Sequence, residues 1–341
     1  MVKLQPWQFK REVVTRLDEE TDPVYGVAPE NRGINDHIGH GIINLDKPSG
    51  PTSHEVVAWV KKILKVDRAG HSGTLDPGVT GVLPVMLKEA TKISQVLLYS
   101  GKEYVCVMRL HSTVSRERVE EIMKEFVGEI YQRPPLRSSV SRHLRTRRIY
   151  YLDDLELLRN RVLFKVGCQA GTYIRKLCSD IGEALGSGAH MEELRRTRAG
   201  PFTEDEDLVN LYDLYEAYHT WVEEEDESLL RKIIKPMEKA LEHLPKIYLR
   251  DSAVDSICHG ANLAVPGIAK IESEIGKKSL VGLFTLKDEC VALARALMTT
   301  EEMVTNERGI ATNTLRVIMS PGTYPRVWRR RSNKIQEDSE E

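Results

Sequence analysis

Cysteine is scarce in this chain of 341 residues: there are five, at positions 106, 168, 178, 258 and 290, an odd number with no CxxC pair. Cys168 falls in an apolar strand pattern and Cys178 on an apolar helix face, so reduced, buried thiols are expected rather than disulfides or a zinc site. Cys258 and His259 are adjacent but have no second ligand pair nearby, and no metal is expected. No uncharged apolar run approaches the ~18 residues that span a bilayer. The opening MVKLQPWQFKREVV carries charge where a signal peptide needs its apolar stretch. A soluble, intracellular protein with no membrane partner is the expectation. An excess of either charge is also lacking: Lys+Arg is 49 against 51 Asp+Glu, for a net charge of −2. Any nucleic-acid surface must therefore be local. GxSxG, the P-loop GxxxxGK[ST], HExxH and GxGxxG are absent too. Their absence removes the ready signatures of serine hydrolases, P-loop NTPases, zinc proteases and dinucleotide enzymes.

What is present is enough for about two domains at ~150 residues each, and a composition that is 41% hydrophobic supports packed cores. The charge is segregated. Residues 131–150 carry six arginines and no acid, residues 204–227 carry eleven acids and no Lys or Arg, and Arg326, Arg329, Arg330, Arg331 and Lys334 form a further basic run. Residues 1–37 lack strong periodicity and read as an extended arm. Gly41–Leu45 reads as a buried strand. Thr52-Ser53-His54-Glu55 is a capping-box pattern opening a helix with Val56, Val57, Val60, Ile63 and Leu64 on its apolar face. Residues 68–84 read as a glycine-punctuated loop, and Glu103–His111 as a central strand. Ser115 caps a second helix. Arg148–Leu158 and Val162–Cys168 read as strands, and Thr172 as the cap of a helix stopped by Gly186. Beyond Pro245 a second unit shows a short helix, Ser252–His259, and short strand patterns at 247–249, 262–264, 280–286, 290–297 and 315–319. That spacing suggests a small β-barrel. The first unit mixes strands and helices without strict alternation, which is an α+β pattern.

The most informative stretch is His71-Ser72-Gly73-Thr74-Leu75-Asp76-Pro77-Gly78-Val79-Thr80-Gly81. Pro77 confines Asp76 to extended backbone angles, so this acid stands in a stiff loop and not in a helix. An Asp-Pro turn whose side chain caps its own backbone is the alternative. Arg175 falls in the first turn of the helix after Thr172, where the dipole disfavours a cation. Its helical neighbours Gly171, Thr172, Cys178 and Ser179 are uncharged. It therefore wants an anion from elsewhere, either a phosphate or a carboxylate such as Asp76; an ordinary solvated arginine is the bland reading. An Asp paired with an Arg stays ionised, which suits a nucleophile better than a general base. Tyr104 and Tyr173 could flank such a site and stack on a base, or serve as ordinary core tyrosines. The segment 131–150, with Arg137, Arg142, Arg145, Arg147 and Arg148, reads as a phosphate-tracking loop. Arg195 and Arg196 add a second cluster, and Arg329 and Arg330 a third.

These residues, in this order, resemble a known family. GHSGTLDPGVTGVLP is similar to the signature loop of pseudouridine synthases of the bacterial tRNA T-loop type, and NLDKPSGPTSHEVV, KEYVC, VGCQAGTYIRKLCSDIGEALG and GAHMEELRR are similar to its further motifs. The resemblance implies Asp76 as nucleophile, with Arg175, Tyr104 and Tyr173 as its catalytic companions. It places Leu194 against the base, with His71, Thr74 and Lys47 at the substrate. RPPLRSSVSRHLRTRRIY, SAVDSICHGANLAVPGI and GTYPRVW are similar to the archaeal and eukaryotic dyskerin-type branch. That branch implies a mixed, mainly antiparallel catalytic sheet over 41–245 and a β-barrel PUA domain over 246–331. It further implies an N-terminal arm over 1–40 packing on that barrel, and a charged tail over 332–341. It also implies no cofactor, His259 among the RNA contacts, rRNA as substrate with tRNA as the second class, and an H/ACA guide RNA. The protein partners implied are small accessory proteins of the Nop and Gar types and a kink-turn-binding ribosomal-type protein. The location would be cytoplasmic in an archaeon and nucleolar in a eukaryote. A stand-alone tRNA enzyme, a non-catalytic RNA scaffold and a carboxylate-nucleophile hydrolase are the alternatives. The last needs a second acid beside Asp76, and the loop offers none.

Overall fold

A computed structural model describes Trp7, residues 9–133 and residues 143–326. They divide into two compact units, one containing residues 32–243 and the other residues 10–31 together with the chain from Leu244. Val13–Thr15, β1, belongs to the second unit.

The first unit is built on one large sheet. Its strands are β2 (Gly41–Lys47), β3 (Ala69–His71), β4 (Thr80–Leu87), β5 (Lys102–Leu110), β6 (Gly128–Gln132), β7 (Arg145–Leu158), β8 (Arg161–Cys168), β9 (Ala189–Ala199), β10 (Phe202–Thr203) and β11 (Ile234–Pro236). The order is β11-β2-β4-β9-β5-β8-β7-β6, with β3 on β4 and β10 on β9. Every pairing is antiparallel except β4 with β9. The helices are α1 (Ile34–Gly39), α2 (Ser53–Leu64), α3 (Ser94–Tyr99), α4 (Arg116–Glu125), α5 (Ile174–Leu185), α6 (Leu211–Glu224) and α7 (Ser228–Ile233). One apolar cluster packs α2, α6 and α7 on β2 and β4; another packs α4 and α5 on β5, β7 and β8. The capping box expected at Thr52 and Glu55 is present.

Three local expectations change. Residues 68–84 are not all loop, because β3 and the start of β4 lie within them. The arm is divided: residues 10–31 join the second unit, while α1 joins the first. Thr172 does not cap α5. Its hydroxyl donates to the Gln169 carbonyl, and Tyr173 occupies the cap position without a side-chain capping bond.

The second unit holds β12 (Lys246–Leu249), β13 (Leu263–Ala264), β14 (Ile268–Glu272), β15 (Leu280–Phe284), β16 (Cys290–Ala296), β17 (Ile310–Val317) and the helices α8 (Asp251–Cys258) and α9 (Thr300–Thr305). The order is β1-β14-β12-β15-β16-β17-β13. Side chains from β12 to β17 and from α8 meet in one core. The strand β14, with its buried Ile268 and Ile271, lies outside the strand patterns expected. Residues 22–27 are held by two side chains of this unit. Lys287 donates from Nζ to the carbonyls of Asp22, Pro23 and Tyr25, and the buried Glu289 accepts from the Val27 amide and the Tyr324 hydroxyl. All five cysteines are buried, and none forms a disulfide among the described residues.

Candidate active site

The loop between β3 and β4 is fixed from several sides. Ser53 Oγ, at the start of α2, accepts from the Leu75 amide at 2.9 Å and donates to the Leu75 carbonyl at 3.2 Å. The Gly50 amide donates to the Pro77 carbonyl at 2.9 Å. Lys47, with no exposed surface, donates from Nζ to the carbonyls of Pro48, Pro77 and Val79 at 2.9–3.0 Å. Arg196, 1% exposed, donates from Nη1 to the Gly73 carbonyl and from Nε to the Val82 carbonyl. Gly81, at φ 98°, closes the loop against β9, where a Cβ would come within 2.2 Å of the Arg196 carbonyl. The backbone on both sides of Asp76 is thus clamped.

Its carboxylate is not. Asp76 is exposed and accepts from Arg175 Nη2 at 2.5 Å, and the two side chains keep 59% and 62% of their surface. The carboxylate meets a cation, which settles the alternative of an Asp that caps its own turn. Arg175 is the second residue of α5, and the turn before it is clasped by Gln132. That buried side chain accepts from the Tyr173 amide at 2.9 Å and donates to the Tyr173 carbonyl at 3.1 Å. The clasp takes the place of the missing side-chain cap.

Tyr104 on β5 stands opposite Arg196 of β9. Burial raises the Tyr104 phenol above its ordinary value of 10, against the opposing pull of the Arg196 guanidinium. Burial also lowers His71, to about 4, with help from His54 and Arg196. His71 is therefore a neutral ring near neutral pH. It meets His54 edge-on at 5.0 Å, and both of its ring nitrogens are sealed from solvent without a hydrogen-bond partner. Thr74 is exposed on the loop, and Leu194 is half-buried on β9.

The residues expected to contact RNA or substrate fall in several different settings. Lys47 and Arg196 are both buried: Lys47 Nζ is spent on the carbonyls of Pro48, Pro77 and Val79, and Arg196 gives Nη1 to the Gly73 carbonyl and Nε to the Val82 carbonyl. Arg195 is paired with Asp46 and Glu204. Arg147 lies over Gly171 and donates to the Thr146 carbonyl, and Arg148 sits 3.6 Å from Glu129 with half its side chain in solvent. Arg145 is half-buried. In the second unit, His259 turns Nδ1 to the Asp255 carbonyl at 2.8 Å. Arg137, Arg142, Arg329 and Arg330 lie outside the described residues. Sequence reasoning missed Ser53 and Gln132. The capping box was the only signal for Ser53, and nothing marked Gln132.

This geometry has known relatives. The chain is 59% identical over 323 residues to a probable tRNA pseudouridine synthase B of Methanopyrus kandleri, covering 95% of each. It is 56% identical over 327 residues to the protein of that description from Pyrococcus abyssi, covering 96% of this chain and 98% of that one. The chain belongs to the TruB family of pseudouridylate synthases. The TruB N-terminal model matches residues 61–120 and its C-terminal model residues 175–242. A DKCLD domain matches residues 5–57 and a PUA domain residues 245–318. Among solved structures, one described as a Cbf5-Nop10-Gar1 complex superposes with a TM-score of 0.91 at 56% identity, covering 95% of this chain and 99% of that one. Another, an H/ACA RNP bound to a substrate RNA containing 2'-deoxyuridine, gives 0.90 at 54% identity, covering 96% of this chain and 100% of that one. The fold is thus a TruB-type catalytic domain of mixed helix and sheet joined to a PUA domain. No helix among the described residues is long and apolar enough to cross a membrane.

Proposed function

We propose that this chain isomerises uridine to pseudouridine in RNA as the catalytic subunit of a guide-RNA particle of the H/ACA type. The reaction breaks the N1–C1′ bond, turns the uracil and rejoins it through C5. It needs neither redox change nor group donor, hence no cofactor. The observation that carries this reading is the exposed Asp76 carboxylate, held by Arg175 on a loop whose backbone cannot move. Asp76 acts as the nucleophile or covalent partner, and Arg175 holds its carboxylate in place. Tyr104 lies against the flipped base, Tyr173 deprotonates C5 or orients the base, and Leu194, His71 and Thr74 complete the pocket. Flipping costs a few kcal/mol of stacking, which backbone contacts by Arg145 and Arg148 offset.

Of the solved relatives, the one at 56% identity is a Cbf5-Nop10-Gar1 complex and the one at 54% an H/ACA RNP bound to a substrate RNA. That supports small accessory proteins of these types for this chain, to which the proposal adds a kink-turn-binding ribosomal-type protein and an rRNA substrate. The PUA domain would dock the guide's ACA end, with residues 10–31 packed against it, in an archaeal cytoplasm. The relatives named for tRNA favour a second reading, a stand-alone tRNA enzyme. Turnover measured by tritium release from labelled uridine, with and without guide RNA, separates the two. Dependence on the guide supports the first reading, and equal turnover on tRNA alone the second. Release by Asp76→Asn at the wild-type rate would overturn both.

A further inference from the structure

We propose that Arg196 is a positioning residue that sets the Tyr104 hydroxyl as a hydrogen-bond donor into the catalytic site. The inference rests on the reading of that site given above. Arg196 is buried to 1% exposure in the middle of β9, and two of its nitrogens are committed: Nε to the Val82 carbonyl at 2.7 Å and Nη1 to the Gly73 carbonyl at 3.1 Å. The third, Nη2, is sealed from solvent and has no acceptor among the described residues. No carboxylate among them pairs with this guanidinium. The group it acts on is the Tyr104 phenol, its cross-strand neighbour. Lys102, on the same face of β5, is a second cation whose Nζ is spent on the carbonyls of Leu97, Leu98 and Ser100.

A guanidinium has donors only. Any hydrogen bond between Arg196 and Tyr104 therefore uses a lone pair of the phenol oxygen, and the hydroxyl proton must point away from Arg196. The other charged group of the site that Tyr104 feels is Asp76. The proton is thus turned away from Arg196 and left for another acceptor of the site, while the ring stays free to lie against a base. Because Arg196 also carries Gly73, the same side chain fixes the loop and the tyrosine relative to each other. Nη2 is the donor that a settling Tyr104 oxygen would fill.

The test is a double-mutant cycle on the assembled RNA particle under single turnover, with Tyr104→Phe, Arg196→Gln and the pair. Each single substitution should slow the chemical step about tenfold, with RNA affinity unchanged. The pair should be no slower than Tyr104→Phe alone, and Arg196→Lys should recover part of the rate. Fully multiplicative losses would overturn the proposal, as would a loss confined to RNA affinity. NMR of isotope-labelled tyrosine in the wild-type protein reads the point without any substitution at Arg196 and without activity. The Tyr104 signal, assigned by its loss in Tyr104→Phe, should stay a neutral phenol through pH 10. Ionisation below that would overturn the donor assignment. Inactivity of the wild type itself would refute the functional reading and leave the NMR result to decide this one.

Discussion

Arg175 Nη2 and Asp76 Oδ2 stand 2.5 Å apart across 99 residues of sequence, and both side chains are more than half exposed. An ion pair so open to water contributes at most ~1 kcal/mol to folding. Its value lies in aim. Asp76→Asn should therefore leave the thermal midpoint and RNA affinity close to wild type while abolishing tritium release. Arg175→Ala should lower turnover by about two orders of magnitude with a similarly unchanged midpoint. A fall in stability larger than the fall in turnover would mean the pair is structural.

Lys47 is the opposite case. Its ammonium is buried on three carbonyls, two of which, Pro77 and Val79, follow Asp76 in the loop. Burial lowers its pKa from the ordinary lysine value, with Asp76 pulling the other way. Lys47→Met fits the space but strands those carbonyls, at a cost of ~1–3 kcal/mol. For a unit of this size that is a drop of several degrees in melting temperature. Calorimetry checks it, and a midpoint within a degree of wild type would show that the carbonyls find other donors.

Arg175 was legible because it breaks a local rule: a cation in the first turn of a helix with uncharged neighbours must find its anion elsewhere. Asp76 was legible because Pro77 excludes a helix around it. Lys47 and Arg196 were not, because charge in a sequence reads as surface. In β9 the side chains alternate, so Arg195 reaches Asp46 and Glu204 while Arg196 turns into the core. Only the register of the sheet separates the two neighbours. The strand β4 was hidden by glycines at its start and by Pro84 within it, a residue that argues against an interior strand. Gln132 acts on Tyr173 across 41 residues, and no local pattern encodes such a clasp.

His71 gives the fold a pH dependence. Its folded pKa is about 4 against an ordinary 6.5. The unfolded chain therefore binds a proton that the folded one refuses between those values. Stability is fully present above pH 6.5 and is lost as the pH falls toward 4, by up to ~3 kcal/mol. Urea midpoints measured from pH 7 to pH 4 should decline, and His71→Gln should flatten the decline. An identical slope in that variant would assign the effect to other groups.

The second unit should depend on residues 10–31. The strand β1 covers the edge of β14, and Glu289, buried, has the Val27 amide and the Tyr324 hydroxyl as partners. Glu289→Ala removes one partner from each, and the Tyr324 hydroxyl, left buried without it, costs ~1–3 kcal/mol. Hydrogen exchange should then show faster opening at Val27 and along β1, with β5 and β9 of the first unit unaffected. Protection at Val27 equal to wild type would mean the segment is held by Lys287 and strand pairing alone.

The arginines before β8 make a claim about salt. Arg148 keeps half its side chain in solvent and sits 3.6 Å from Glu129, too loose a contact to neutralise it. Arg145, at the other end of the same stretch of β7, lies beside the basic segment that precedes it. If both follow an RNA backbone, each releases about one counterion on binding. The double substitution Arg145→Ala, Arg148→Ala should flatten the plot of log affinity against log salt by about one to two units, weakening binding most at low salt. Turnover at saturating RNA should persist, because neither side chain is among the groups that hold Asp76 or Arg175. A slope equal to wild type would show that these two guanidinium groups do not face the RNA.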